Sequence, residues 1–388
     1  MPQTTQASFH PSSPWLTEAQ ALFEKEYEKF SKNLNSDLNT NFLDHDLSQP
    51  FELFPSTQEP PKNTPIRKAM ILIHGFLGVP YFMKSLATLF SKQGFYCYAP
   101  RLPGHGICPE ALRCQNLEKI LEILSAEIKS MEDQFDEIHL CGFSLGGLLS
   151  VLLANGLNHF DHQKIKSLIL FAPAFGISPL AKLIPTLNFL GLGNLRNTSA
   201  ANMNGLRNPV MYANYPLCSV LPIIHGIKNL KQKSEQAHKN NQAIPSTQLP
   251  IFMIGSFDDA VVKFSPLINF INQNKNPQSC IYLYAGKAHW PAIQAEIQAQ
   301  VLNQNLFFID PSETNKNILN LSHVSLLIPP EDPLFGQNSP QYKNLPENFY
   351  LGEKIPGVNF RKNLYRLFYN PDFPALSAAL LKFLNFLN

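Results

Sequence analysis

Short apolar runs of strand length recur along the chain from residue 69 onward, and most lead into a longer stretch whose apolar residues fall at helical spacing. Residues 69–73 make the first run, which ends in His74-Gly75-Phe76-Leu77-Gly78. The spacing predicts a helix over 81–93 with Gly94 as its C-terminal stop, a strand over 95–99 and a helix over 117–131. Residues 138–141 form the next run and pass directly into Gly142-Phe143-Ser144-Leu145-Gly146; 147–154 then reads as a buried helix. Further strands are predicted at 165–171, 250–254 and 280–284. This alternation predicts an α/β fold with a mostly parallel central sheet flanked by helices.

The pattern breaks in three places. Between residues 175 and 246 the chain is apolar but punctuated by Pro and Gly, and an insertion over 179–247 would lie above the strand ends as a cap. Beyond the last core strand come two more apolar stretches, 305–309 and 318–321, and an apolar helix over 373–387 of the kind that closes a sheet's flank. Residues 1–65 read as an extension, with helical spacing over 16–30 and a Pro-rich linker over 55–65. The chain thus divides into an extension (1–65), a first half of the core (66–178), a cap (179–247) and a second half carrying a C-terminal insertion (248–388).

Composition narrows the function classes. The 388 residues carry 31 Lys and Arg against 29 Asp and Glu, a net charge of +2 that gives no footprint for nucleic acid. The 29 Phe suit a globular protein with an apolar pocket. Six cysteines show no metal-like pairing, and Cys97, Cys141 and Cys280 sit inside strand-like runs as buried free thiols do, which predicts a reducing compartment. The first residues lack a basic and an apolar signal region, so a cytoplasmic location is expected, although export without a cleaved signal would leave no trace. No apolar run reaches the roughly 20 residues of a membrane span.

Strand, sharp turn and helix around G-x-S-x-G make Ser144 the candidate nucleophile, because the turn projects its hydroxyl while the flanking glycines let strand and helix approach. Acyl transfer further requires oxyanion donors, a base and an acid that orients the base. The backbone N–H groups of Phe76 and Leu145 are placed to be the donors. His74, before Gly75 and early in the chain, fits a loop-holding role better than that of base. The loop after the 250–254 strand holds Asp258 and Asp259. Asp259 is the preferred acid, since Val261 and Val262 after it would anchor the loop, and Asp258 is the alternative. Two histidines compete as base: His289, a short loop beyond the 280–284 strand, and His323, in Leu321-Ser322-His323-Val324.

Taken together, HGFxG, PRLPGHG and GFSLGG resemble the α/β-hydrolase superfamily, and within it the carboxylesterase and monoacylglycerol-lipase group. The resemblance runs through 71–106, 142–147 and 255–262. It implies a Ser–Asp–His hydrolase acting on a small-molecule acyl ester or lipid, with no metal or organic cofactor and a helical cap over an acyl pocket. From residue 318 onward the chain is similar to a longer bacterial subgroup in which the Ser-His segment carries the base, which favours His323 over His289. A thioesterase, lysophospholipase or serine peptidase of the same fold, or an inert binding protein whose extension recruits a partner, are the competing readings.

Overall fold

The computed structural model describes residues 13–32, 42–55, 67–113, 115–156, 163–178, 181, 183–198, 208–274, 276–297, 305–353 and 363–387. The chain opens with α1 (Pro14–Lys32), α2 (His45–Ser48) and β1 (Phe51–Leu53), then alternates through β2 (Lys68–Ile73), α3 (Lys84–Ser91), β3 (Tyr96–Ala99), α4 (Leu117–Met131), β4 (Glu137–Phe143), α5 (Leu145–Ala154) and β5 (Ile165–Phe171). A separate group follows: α6 (Ile184–Phe189), β6 (Arg196–Thr198), β7 (Asn214–Pro216) and α7 (Leu221–Lys239). The alternation resumes with β8 (Ile251–Ser256), α8 (Phe264–Gln273), β9 (Cys280–Tyr284), α9 (Trp290–Glu296) and β10 (Asn305–Ile309). The small strands β11 (Tyr350–Gly352) and β12 (Leu364–Arg366) precede the closing helix α10 (Phe373–Phe386).

Eight strands form one sheet in the order β1-β3-β2-β4-β5-β8-β9-β10, and β1 alone runs antiparallel to its neighbour. Helices cover both faces, which is why β2, β4 and β8 read as apolar runs with little alternation. Helix α4 is one-sided: Leu117, Ile120, Leu121, Leu124, Ile128 and Met131 are buried, and Asn116 caps its start by accepting the Lys119 N–H at 2.7 Å. Helix α5 is buried all round, as its Leu-rich sequence requires.

Several differences from the predicted elements have local causes. The 81–93 helix starts as a 3-10 turn over Pro80–Met83 before α3, with Pro80 filling the first position, where no N–H is needed. Helix α5 begins at Leu145 rather than 147, because Ser144 itself is the cap of the helix. The apolar stretch 318–321 is no strand; only Ile318 forms a bridge, to Leu351, and the chain runs on into a 3-10 turn over Val324–Leu327. Within the extension, Phe51–Leu53 pairs with Tyr96–Ala99 as the sheet edge, a strand too short to show a period of its own. Trp15 and Leu16 join the main hydrophobic core. The Trp15 indole donates to Tyr96 Oη at 2.8 Å, and the Tyr96 hydroxyl in turn donates to Glu52.

Cys97, Cys108, Cys141, Cys218 and Cys280 are free and buried. Cys114, His10, His159, His162 and most of the 55–65 linker lie outside the described residues. No helix among the described residues is long and apolar enough to cross a membrane.

If α1 is part of the core, Trp15→Ala should cost about 3–5 kcal/mol in urea unfolding, since it removes a buried aromatic. Leu22→Ala, on the same helix but 41% exposed, should change stability by less than about 0.5 kcal/mol. Equal, negligible effects would mean that the extension adds nothing to the fold.

Candidate active site

The turn between β4 and α5 is built by close approach. Ser144 has φ 54° and ψ −111°, a strained conformation for a residue with a side chain. Its backbone polar groups are all engaged: the N–H donates to Phe171 O at 2.9 Å, and the carbonyl accepts from Leu148 N at 3.1 Å and Ala174 N at 2.9 Å. A Cβ on Gly142 would collide with the Gly146 carbonyl, and one on Gly146 with the Ile73 carbonyl. Both glycines of the motif are therefore required by space, and their crowding holds the end of β2 against the elbow. Ser144 is 6% exposed.

The turn after β2 lies alongside, with a Cβ on Gly75 meeting the Phe143 ring at 2.8 Å and Ser144 Cβ at 3.2 Å. Phe76 and Leu145, whose N–H groups were singled out, thus belong to adjoining turns. The Phe76 ring packs on His105 and, at 5.3 Å between centroids, on Tyr215 of β7. Tyr212 N–H donates to Leu77 O at 3.3 Å, so the segment between β5 and β8 lies against this turn. His74 is wholly buried and accepts the Leu102 N–H on Nε2 at 3.1 Å. Burial, and then the neighbouring His105, hold its pKa well below the usual histidine range. Its part is to fasten two loops.

Asp259 and His323 meet. His323 Nδ1 stands 2.5 Å from Asp259 Oδ2, and the two side chains are 6% and 1% exposed. Asp259 Oδ1 accepts the N–H groups of Val261 at 2.7 Å and Val262 at 3.0 Å, so one oxygen is tied to its own loop and the other faces the imidazole. Because a carboxylate only accepts here, Nδ1 carries the proton and Nε2 the lone pair. That Nε2 is buried and has no hydrogen-bond partner among the described residues. The His323 ring lies against Phe143, the residue before Ser144, with centroids 4.8 Å apart.

His289 and Asp258 stand apart from this group. His289 is exposed and stacks on Phe257 at 4.4 Å. Burial pushes the Asp258 carboxyl up, and the charge of nearby His289 opposes the shift.

The segment holding His323 has anchors that the sequence did not single out. Ser322 Oγ donates to Leu367 O at 2.5 Å, and Asn320 Oδ1 accepts the Glu353 N–H at 2.6 Å. Glu353 pairs with Arg366 at 2.6 Å; burial raises the Glu353 carboxyl and Arg366 draws it back. The segment between β10 and α10 therefore ties the chain at two points just before the imidazole. Their signal in the sequence was the polar Asn320, Ser322 and Ser325 interrupting the apolar stretch around His323. Among the described residues no group of three or more His, Cys, Asp or Glu side chains is disposed to hold a metal ion.

Comparison with known proteins agrees with this architecture. The chain is 25% identical over 179 residues to a thermostable monoacylglycerol lipase of Bacillus sp. strain H-257, covering 45% of this chain and 67% of that protein. It is 32% identical over 87 residues to a carboxylesterase of Bacillus subtilis strain 168, covering 22% of this chain and 35% of that one. A solved structure from work on LipS and LipT, two metagenome-derived lipolytic enzymes, shares the fold with a TM-score of 0.50 at 18% identity, over 66% of this chain and 96% of that one. The model of the family described as serine aminopeptidase, S33 matches residues 64–293. With more than half its length so matched, on a parallel sheet with a serine at the strand-to-helix elbow, the chain belongs to the S33 serine aminopeptidase family of α/β-hydrolases, with esterase and lipase relatives.

Proposed function

We propose that the protein is a carboxylic ester hydrolase in which Ser144 is the nucleophile, His323 the base, Asp259 the orienting acid, and the N–H groups of Phe76 and Leu145 the oxyanion donors. The observation that carries this reading is the 2.5 Å contact between Asp259 and His323 beside the elbow, with Nε2 left unpaired. As Ser144 Oγ attacks the ester carbonyl, Nε2 takes its proton, and the carbonyl oxygen gains charge in front of the two N–H groups. Collapse of the tetrahedral species breaks the bond to the alcohol, which leaves with the proton from His323. Water, deprotonated by the same nitrogen, then attacks the acyl-enzyme and releases the carboxylic acid and free Ser144.

The substrate class is an ester of an apolar acyl chain. Leu183, Phe189, Leu190, Leu192 and Leu195 are all exposed, Phe189 by 89%, in the segment that packs on the Phe76 turn. So much exposed apolar surface suits a substrate presented in an aggregate or at a lipid surface better than a charged peptide. Relatives named as a monoacylglycerol lipase and a carboxylesterase support the same class.

Ser144→Ala and His323→Ala should each lower kcat for a p-nitrophenyl acyl ester by about 10⁴-fold or more while the protein stays folded, whereas His289→Ala should stay within about threefold of the parent. Loss of rate in His289→Ala with retention in His323→Ala would contradict the assignment of the base. Phe189→Ser should slow hydrolysis of a long-chain acylglycerol in micelles severalfold while leaving a soluble short-chain ester untouched; equal effects on both would remove the surface role. Turnover of amino-acid arylamides faster than of any ester would transfer the site to peptide chemistry.

A further inference from the structure

A line of polar contacts runs from the N-terminal helix to the oxyanion turn. Arg101 lies between β3 and α4 with its side chain only 4% exposed. Its Nη2 meets Glu26 Oε2 of α1 at 2.7 Å, and the Phe23 ring, one turn earlier on α1, sits 4.9 Å from the guanidinium. The other guanidinium nitrogen, Nη1, donates to His105 O at 2.7 Å and Leu102 O at 3.4 Å. A cation this deeply buried needs a charged partner, and a helix outside the core alternation supplies it.

The line continues through Leu102, whose N–H donates to His74 Nε2 at 3.1 Å. A backbone amide only donates, so Nε2 holds the lone pair and the proton of this neutral ring sits on Nδ1. Nδ1 then donates to Gly75 O at 2.9 Å, and the Gly78 N–H reaches the same oxygen at 3.3 Å. The Gly75 carbonyl and the Phe76 N–H are opposite edges of one planar trans peptide, so whatever holds the carbonyl aims the N–H. Further contacts brace the loop from the same side: Leu43 N–H donates to Ile107 O at 3.0 Å, and a Cβ on Gly106 would meet Ser48 Cβ at 2.8 Å.

The geometry points to Glu26 as a positioning residue for the oxyanion hole: acting through Arg101, Leu102 and His74, it fixes the plane of the Gly75–Phe76 peptide. Helix α1 is on this reading a support of the catalytic apparatus. The inference rests on the assignment of the Phe76 N–H as an oxyanion donor. Loss of an oxyanion donor outright costs about 10²–10³ in kcat, so loosening one through its support should cost about tenfold.

The test uses the full chain, with kcat normalised to sites titrated by a fluorophosphonate, so that a smaller folded fraction does not register. Glu26→Ala should lower kcat per site for a p-nitrophenyl ester about tenfold with KM within about twofold, the pattern of an interaction made in the transition state. Glu26→Gln, which keeps an acceptor for Arg101, should recover most of the loss. Affinity for a trifluoromethyl ketone, whose adduct with serine places an oxyanion in the hole, should fall by the same factor as kcat, while affinity for the product fatty acid stays level. Wild-type kcat per site and ketone affinity in Glu26→Ala would overturn the inference. Should Glu26→Ala not fold, Glu26→Asp decides, since it keeps the charge but draws the carboxylate back from Arg101: a matched fall in kcat and ketone affinity supports the role, and no fall overturns it. Absence of labelling and turnover in the parent itself would instead strike the serine-hydrolase reading.

Discussion

One hydrogen bond joins the loop after β8 to the segment between β10 and α10. Asp259 and His323 are 64 residues apart in sequence, yet their contact is short and almost fully buried. The carboxylate is prepared for it by the Val261 and Val262 amides, which leave a single oxygen to face the ring. On the imidazole side the work falls to the segment between β10 and α10, where Ser322 is tied to Leu367 and Asn320 to Glu353. Without these ties a loop this far beyond β9 would have little reason to return over the end of β4. The proposed chemistry depends on both halves of the clamp, because a base must be held as well as polarised.

The Ser144 side is secured by a different device. A positive φ at Ser144 costs on the order of 1–3 kcal/mol, and it persists because the surrounding backbone leaves no alternative. Gly142 and Gly146 touch neighbouring carbonyls so closely that only hydrogen fits, and the Ser144 carbonyl is held by two amides. The strained residue therefore sits between a buried strand and a buried helix.

Much of this could be read from residue order, and the limits were physical. The strands 165–171 and 280–284 and the helix 117–131 fall where the apolar pattern places them, since each packs against the core. Asp259 was preferred because the apolar pair beyond it should anchor its loop; Val262 is buried but Val261 is 44% exposed, and both reach Asp259 through their backbone amides instead. The choice between His289 and His323 was not legible in spacing alone. The position of the His323 ring depends on how the chain beyond β10 folds back, and that is set by contacts with residues such as Leu367 which no local pattern reveals. The edge strand at Phe51–Leu53 was hidden for a similar reason: three residues carry no period, and their pairing with Tyr96–Ala99 is a tertiary fact. Arg101 and Glu26 show the same limit for charge, being adjacent only after α1 has docked.

The most direct measurement is the rate and position of covalent labelling by a fluorophosphonate, read by peptide mass, in the parent protein, Asp259→Asn and Asp258→Asn. Labelling confined to Ser144, slowed by about 10³–10⁴ in Asp259→Asn and unchanged in Asp258→Asn, is the expected result. A label on another residue, or a rate that collapses with Asp258 and not with Asp259, would contradict it.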